Sequence, residues 1–147
     1  MRAFSAGKPL VLRNPGAVRP WQHVLDPLCG PLLLAEHLFA GGGAYAEGWN
    51  FGPSEANTRP VGYIVEKLGR HWDAATWRMA DGKQPHEAVN VKIDASKAQV
   101  RLGWHPRLAT DLALDWTAAW YRRQQDGASA RDLCLDQIQR YQKQDGR

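Results

Sequence analysis

Extended segments in this chain are short and far apart, and that limits what it can fold into. Residues 8–12 form an apolar run that Arg13-Asn14-Pro15-Gly16 ends with turn residues. Residues 18–25 read as a continuation of extended backbone, because Pro20 biases Arg19 away from helix. Residues 46–52 read as a short strand running into a loop at 53–57. Residues 76–79 read as another, with Asp81-Gly82 as its turn, and residues 88–93 as a last extended piece. The stretches between carry helical spacing. Asp26-Pro27 predicts a helix start, with Leu28, Leu32, Ala35 and Leu38 following and the Gly41-Gly42-Gly43 run as its end. Val61, Ile64, Val65, Leu68 and Trp72 line one face of a helix over 60–72. Asp94 is read as the cap of a short helix that Gly103 closes. Thr110 is read as the cap of a longer one carrying Leu112, Trp116 and Trp120. Ser129 and Asp132 cap a last helix, with Cys134, Ile138 and Tyr141 on one face. The reading is α/β with about five helices and three or four short strands, an incomplete sheet rather than a doubly wound one.

At 147 residues the chain suits one domain, 1–147. Its net charge of +4 is scattered. With no basic stripe or recognised nucleic-acid motif, no nucleic-acid partner is expected. No apolar run approaches the ~20 residues of a membrane span, and no secretory signal is expected in the first eight residues. Cys29 and Cys134 are too few and too distant for a disulfide framework or a zinc site, so reduced thiols and a cytoplasmic location are the expectation.

Arg13, Asn14, Arg19, Trp21, Gln22 and His23 are the densest polar and aromatic cluster. The guanidinium is a rigid fork that matches phosphate bidentately, so two arginines on a turn and a strand end can grip a diphosphate while Trp21 packs on a base or sugar. A solvated loop around a half-buried tryptophan fits the same composition. Asn50, before Gly52-Pro53, places an amide at a strand end, where α/β folds collect ligand contacts; it also suits a turn that satisfies its own backbone. Pro85-His86-Glu87 sets an imidazole beside a carboxylate, but adjacent side chains point apart. No phosphate-binding loop of the G-x-x-x-x-G-K-[ST] type and no G-x-S-x-G is present. Gly41-Gly42-Gly43 follows a helix rather than a strand, so it is no dinucleotide fingerprint.

The string Leu12-Arg13-Asn14-Pro15-Gly16-Ala17-Val18-Arg19-Pro20-Trp21-Gln22-His23-Val24-Leu25-Asp26-Pro27-Leu28 resembles a stretch in the carboxyl-terminal part of the CDP-glucose 4,6-dehydratases, which are extended short-chain dehydrogenases/reductases. Three further segments resemble that family in the same order. Gly48-Trp49-Asn50-Phe51-Gly52-Pro53 is similar to its Y-N-x-G strand, and Pro85-His86-Glu87-Ala88 stands where relatives carry R-P-G-D. Asp94-Ala95-Ser96-Lys97-Ala98 with Leu102-Gly103-Trp104-His105-Pro106 is similar to its D-x-S-K-A…L-G-W-x-P helix and turn. Pro31 departs from the family's G-Y-L.

The resemblance implies the substrate-binding portion of such an enzyme, with the amino-terminal Rossmann half missing. That half holds the G-x-x-G-x-x-G site for NAD and the Ser/Thr and Y-x-x-x-K catalytic residues. The family oxidises C4 of the sugar with NAD+, eliminates water across C5–C6 and returns the hydride to C6, a lyase reaction of deoxysugar and lipopolysaccharide O-antigen biosynthesis. The resemblance assigns Arg19 to the diphosphate, Leu10, Val11, Leu12 and Arg13 to the base, and Asn50 to phosphate or ribose. Asn14 and Trp21 fall in the same substrate-binding set, and His86 replaces a family arginine. Implied partners are a CDP-sugar and either the missing half or a second copy. No catalytic residue, bound cofactor or activity of the chain alone is expected. A domain that kept the fold for nucleotide or protein binding is the alternative.

Overall fold

A computed structural model describes residues 1–82, 84 and 88–144. A single helical turn, α1 (Arg2–Ser5), precedes β1 (Leu10–Leu12) and β2 (Val18–Pro20). The long helix α2 (Leu25–Gly41) runs into a 3₁₀ turn over Gly42–Tyr45. A second 3₁₀ turn, Glu55–Asn57, leads into β3 (Thr58–Pro60) and α3 (Val61–Gly69), and β4 (Trp77–Met79) follows. Helices α4 (Ser96–Leu102), α5 (Thr110–Gln125) and α6 (Ala130–Gln142) complete the described chain.

The strands make two separate two-stranded ribbons. β1 pairs parallel with β4, Leu10 opposite Trp77 and Leu12 opposite Met79. β2 pairs antiparallel with β3, setting Arg19 opposite Arg59. Val18 also bridges Asn90, so residues 88–93 touch β2 at one point rather than forming a strand. The incomplete sheet expected from the sequence is thus two unconnected ribbons.

Among the described residues, three apolar clusters fill the interior. Phe4, Leu12, Val65, Trp72 and Ala118 join α1, β1, α3 and α5. Ala95, Ala98, Leu102 and Trp104 bring α4 against Leu33 and Leu34 of α2 and against Trp49 and Phe51. Leu108, Ala113, Trp116 and Tyr141 join α5 to α6. α1 is an addition to the expected helices, held because Phe4 is buried against Trp72 at 5.9 Å between ring centroids.

Other expectations shift for identifiable reasons. The helix expected over 60–72 ends at Gly69, although Trp72 still packs on its buried face. α2 continues through Pro31, which is exposed. Residues 46–52 form no strand: no strand among the described residues lies beside them, and an unpaired strand leaves its backbone groups unsatisfied. α6 buries Leu133 and Tyr141 while Cys134 and Ile138 are exposed, so its inner face is rotated from the expected one. On α5 Trp116 is buried as expected, but Leu112 is exposed and Ala113 and Leu114 face inward. No helix among the described residues is long and apolar enough to cross a membrane.

Candidate functional site

The candidate residues enter on β1, on the 13–17 turn and on β2. Leu10 and Leu12 turn their side chains into the cluster around Phe4 and Trp72, so in β1 only Val11 projects outward. Arg13 is exposed beyond it. The turn is tied by Ala17 N–H donating to the Asn14 carbonyl at 3.2 Å and by Gly62 N–H donating to the Pro15 carbonyl at 2.8 Å. Arg19, half-buried on β2, donates through Nη1 to the carbonyls of Val18 at 2.8 Å and Ala88 at 2.9 Å. Both bonds come from Nη1, so they fix the guanidinium itself against the backbone of two segments. Trp21 donates its indole N–H to the Arg59 carbonyl at 3.0 Å, which pins the ring to the β2–β3 ribbon rather than leaving that N–H to a base or sugar.

Gln22 carries the link to the second region. Its Nε2 donates to the Phe51 carbonyl at 3.0 Å, so β2 and residues 49–52 are held together. Asn50, between the half-buried Trp49 and Phe51, is itself exposed. Close packing supports this arrangement: a Cβ at Gly30 would lie 2.3 Å from the Phe51 ring, and one at Gly52 would lie 2.6 Å from Ile93. Only glycine lets α2 approach the Phe51 ring, and residue 52 approach the Ile93 side chain, so closely. His23, 4 % exposed, accepts from Leu25 N–H through Nδ1 at 3.3 Å. Burial holds its pKa below the ordinary imidazole value, against the raising influence of Asp26, so it is a neutral structural histidine. His86, Pro85 and Glu87 lie outside the described residues.

Three features escaped the sequence. Arg59 faces Arg19 across the ribbon; pairing register is not written in either segment. Its guanidinium lies 5.7 Å from the Tyr63 ring centroid, and Tyr63 Oη donates to Asp111 Oδ1 at 2.5 Å. That hydroxyl is the main reason the Asp111 carboxyl sits below the usual carboxylate range. Asp94, read as a helix cap, accepts from Ser96 N–H at 2.9 Å, but the residue at the helix boundary is Ala95. A cleft of about 370 Å³ opens beside β2 between Pro20, Thr58, Glu55, Lys92, Asp94 and Gln99, with the Lys92–Glu55 ion pair on its wall.

Arg19 and Arg59 stand opposite each other on the β2–β3 ribbon, Asn50 is exposed in the segment that Gln22 ties to the chain after β2, and Val11 and Arg13 lie on or beyond β1, in the other ribbon. Gly41-Gly42-Gly43 joins α2 to a 3₁₀ turn, whereas the glycine-rich turn of a dinucleotide site joins a parallel strand to a helix. Among the described residues no group of histidines, cysteines and carboxylates is arranged to hold a metal ion.

No family model matches the chain. The chain is 42% identical over 127 residues to the CDP-glucose 4,6-dehydratase of Salmonella typhimurium, a match covering 83% of this chain and 35% of that protein. The fold is similar to that of a dTDP-glucose 4,6-dehydratase from Bacillus anthracis solved with NAD, with a TM-score of 0.61 and 21% identity over 83% of this chain and 37% of the other. It is also similar to RMD from Pseudomonas aeruginosa solved with NADPH, with a TM-score of 0.56 and 17% identity over 76% of this chain and 35% of the other. The chain therefore spans about a third of the length of the proteins it matches.

Proposed function

Because this chain matches a third of a CDP-glucose 4,6-dehydratase at 42% identity, we propose that it is the nucleotide-sugar clamp of such a dehydratase, inactive by itself. The match to the dehydratase sequence carries the reading; the positions of Arg19 and Asn50 support it. Arg19 takes the diphosphate, its guanidinium oriented by the two backbone carbonyls that accept from Nη1. Val11 and Arg13 border the cytosine end, with Leu10 and Leu12 contributing backbone while their side chains anchor β1. Asn50 meets phosphate or ribose, aligned with β2 by Gln22. NAD, held by the remaining two thirds of the enzyme, supplies the oxidation at C4 and the return of hydride. This chain's part is to hold and orient the CDP-sugar in a cytoplasmic enzyme.

The partner in this reading is that NAD-binding remainder, and α2 provides a surface for it. Val24, Leu28, Pro31, Leu32, Ala35, Leu38 and Phe39 fall within about 120° of the helix circumference. Every one is exposed, Leu32 by 68% and Phe39 by 97%. The inward face of α2 buries only Asp26 and Gly30 fully. An uninterrupted apolar stripe of this kind marks an interaction surface. Reconstitution tests the reading. The part of the Salmonella typhimurium enzyme outside the matched segment is mixed with this chain and NAD, and loss of CDP-glucose is followed. Turnover by the mixture, none by either part, and loss of turnover with Leu32→Glu are expected. Turnover by the chain alone, or a mixture that neither associates nor reacts, would overturn it.

A further inference from the structure

The D-x-S-K-A helix, α4, carries none of the residues assigned to the clamp, yet its side chains converge on the residues before Asn50. Lys97 touches three in succession. Its Nζ pairs with Glu47 Oε2 at 2.7 Å, donates to the Gly48 carbonyl at 2.9 Å and lies 4.5 Å from the Trp49 ring centroid. Arg101, one turn on, pairs with the same Glu47, donates to the Ala44 carbonyl at 3.0 Å and stands 5.2 Å from the Trp49 ring. Trp49 is also stacked with Tyr45 at 6.3 Å between ring centroids, and the Tyr45 carbonyl accepts the Trp49 indole N–H at 3.0 Å. After Asn50, Phe51 meets Trp104 edge-on at 5.2 Å. The residues flanking Asn50 are thus gripped while Asn50 stays exposed.

Sequence shows why such a grip is required. Residues 46–52 follow three glycines and have no strand partner among the described residues, so nothing in the backbone pairing fixes them. An ammonium held at once by a carboxylate, a carbonyl and an indole face replaces that pairing.

We propose that Lys97 is a positioning residue: acting through Glu47, Gly48 and Trp49, it fixes where Asn50 is presented to the CDP-sugar. The role rests on the clamp reading above. Two readouts on the full chain separate the two claims. The first is the backbone NMR order parameter of residues 48–51 in Lys97→Met and Lys97→Arg. Lys97→Met is expected to lower it from about 0.85 to below about 0.6 and to leave α5 and α6 unchanged, with Lys97→Arg restoring it. Unchanged order at 48–51, or a fall spread evenly over the chain, would overturn the proposal whatever the ligand results. The second is CDP-glucose affinity of Lys97→Met, Asn50→Ala and the double variant. Each single change is expected to weaken binding about tenfold, and the double variant no further, because the two act as one unit. Full additivity, or normal affinity in Lys97→Met where Asn50→Ala has lost it, would also overturn it. A wild-type chain that binds no CDP-glucose would instead remove the clamp reading and leave the order parameters to decide what Lys97 holds.

Discussion

Asp26 has no exposed surface, and its place in the fold rests on groups far away in sequence. One carboxylate oxygen accepts from Arg107 N–H at 2.8 Å and from the Tyr141 hydroxyl at 2.8 Å. Its carbonyl accepts the Trp104 indole N–H at 3.3 Å. The Arg107 guanidinium, 5.1 Å from the Tyr141 ring centroid, brings a positive charge to the same place. A buried carboxylate needs such donors, since an unpaired one carries a heavy desolvation cost. Tyr141→Phe keeps the packing and removes one donor to a charged acceptor. It is expected to cost about 1.5–3 kcal/mol in urea unfolding. Burial first, and then the Asp26 carboxylate, push the Tyr141 hydroxyl above its ordinary pKa. Above pH of about 10 the unfolded chain loses that proton and the folded one keeps it, so this contribution to stability falls as pH rises. Tyr141→Phe is expected to flatten that alkaline decline; an unaltered slope would show that Tyr141 does not cause it.

Helix ends show which parts of the fold are legible in sequence. Gly103 closes α4 with φ of 66°, a left-handed conformation glycine adopts without strain. The Ser129 hydroxyl accepts from Asp132 N–H at 3.4 Å at the start of α6. Both are local signals and both read correctly. Asp26 and Thr110 carry the same kind of signal but do other work. Asp26 bonds to Arg107 and Tyr141, and Thr110 donates its hydroxyl to the Asn57 carbonyl at 2.7 Å. The cap of α5 comes from elsewhere: Asn57 Oδ1 accepts Thr110 N–H at 3.2 Å. No periodicity announces a cap supplied 53 residues away. Asn57→Ala is expected to cost about 1 kcal/mol, the usual loss for a cap amide, read as a lower midpoint in urea with unchanged helix content in water. No change in midpoint would mean that solvent caps α5 equally well. Of the site, Arg19 and Asn50 were visible as chemistry. Arg59 and Lys97 were not, because cross-strand register and the approach of α4 to residues 47–49 arise only on folding.

At the scale of the molecule, two small ribbons and three separate apolar clusters take the place of a common sheet and a single core. The longest helix turns an apolar stripe outward, and the segment after it is held by side chains where a strand would be held by a neighbour. The proposed function accounts for both features as surfaces that pack against a further part of a dehydratase. The clamp that this portion is proposed to carry is tested most directly by calorimetric titration of the purified chain with CDP-glucose, with UDP-glucose as the control. The account predicts CDP-selective binding on the order of micromolar, weakened about tenfold or more in Arg19→Ala by loss of a charged phosphate contact. No heat of binding from a folded chain, or equal affinity for both nucleotide sugars that Arg19→Ala leaves intact, would contradict it.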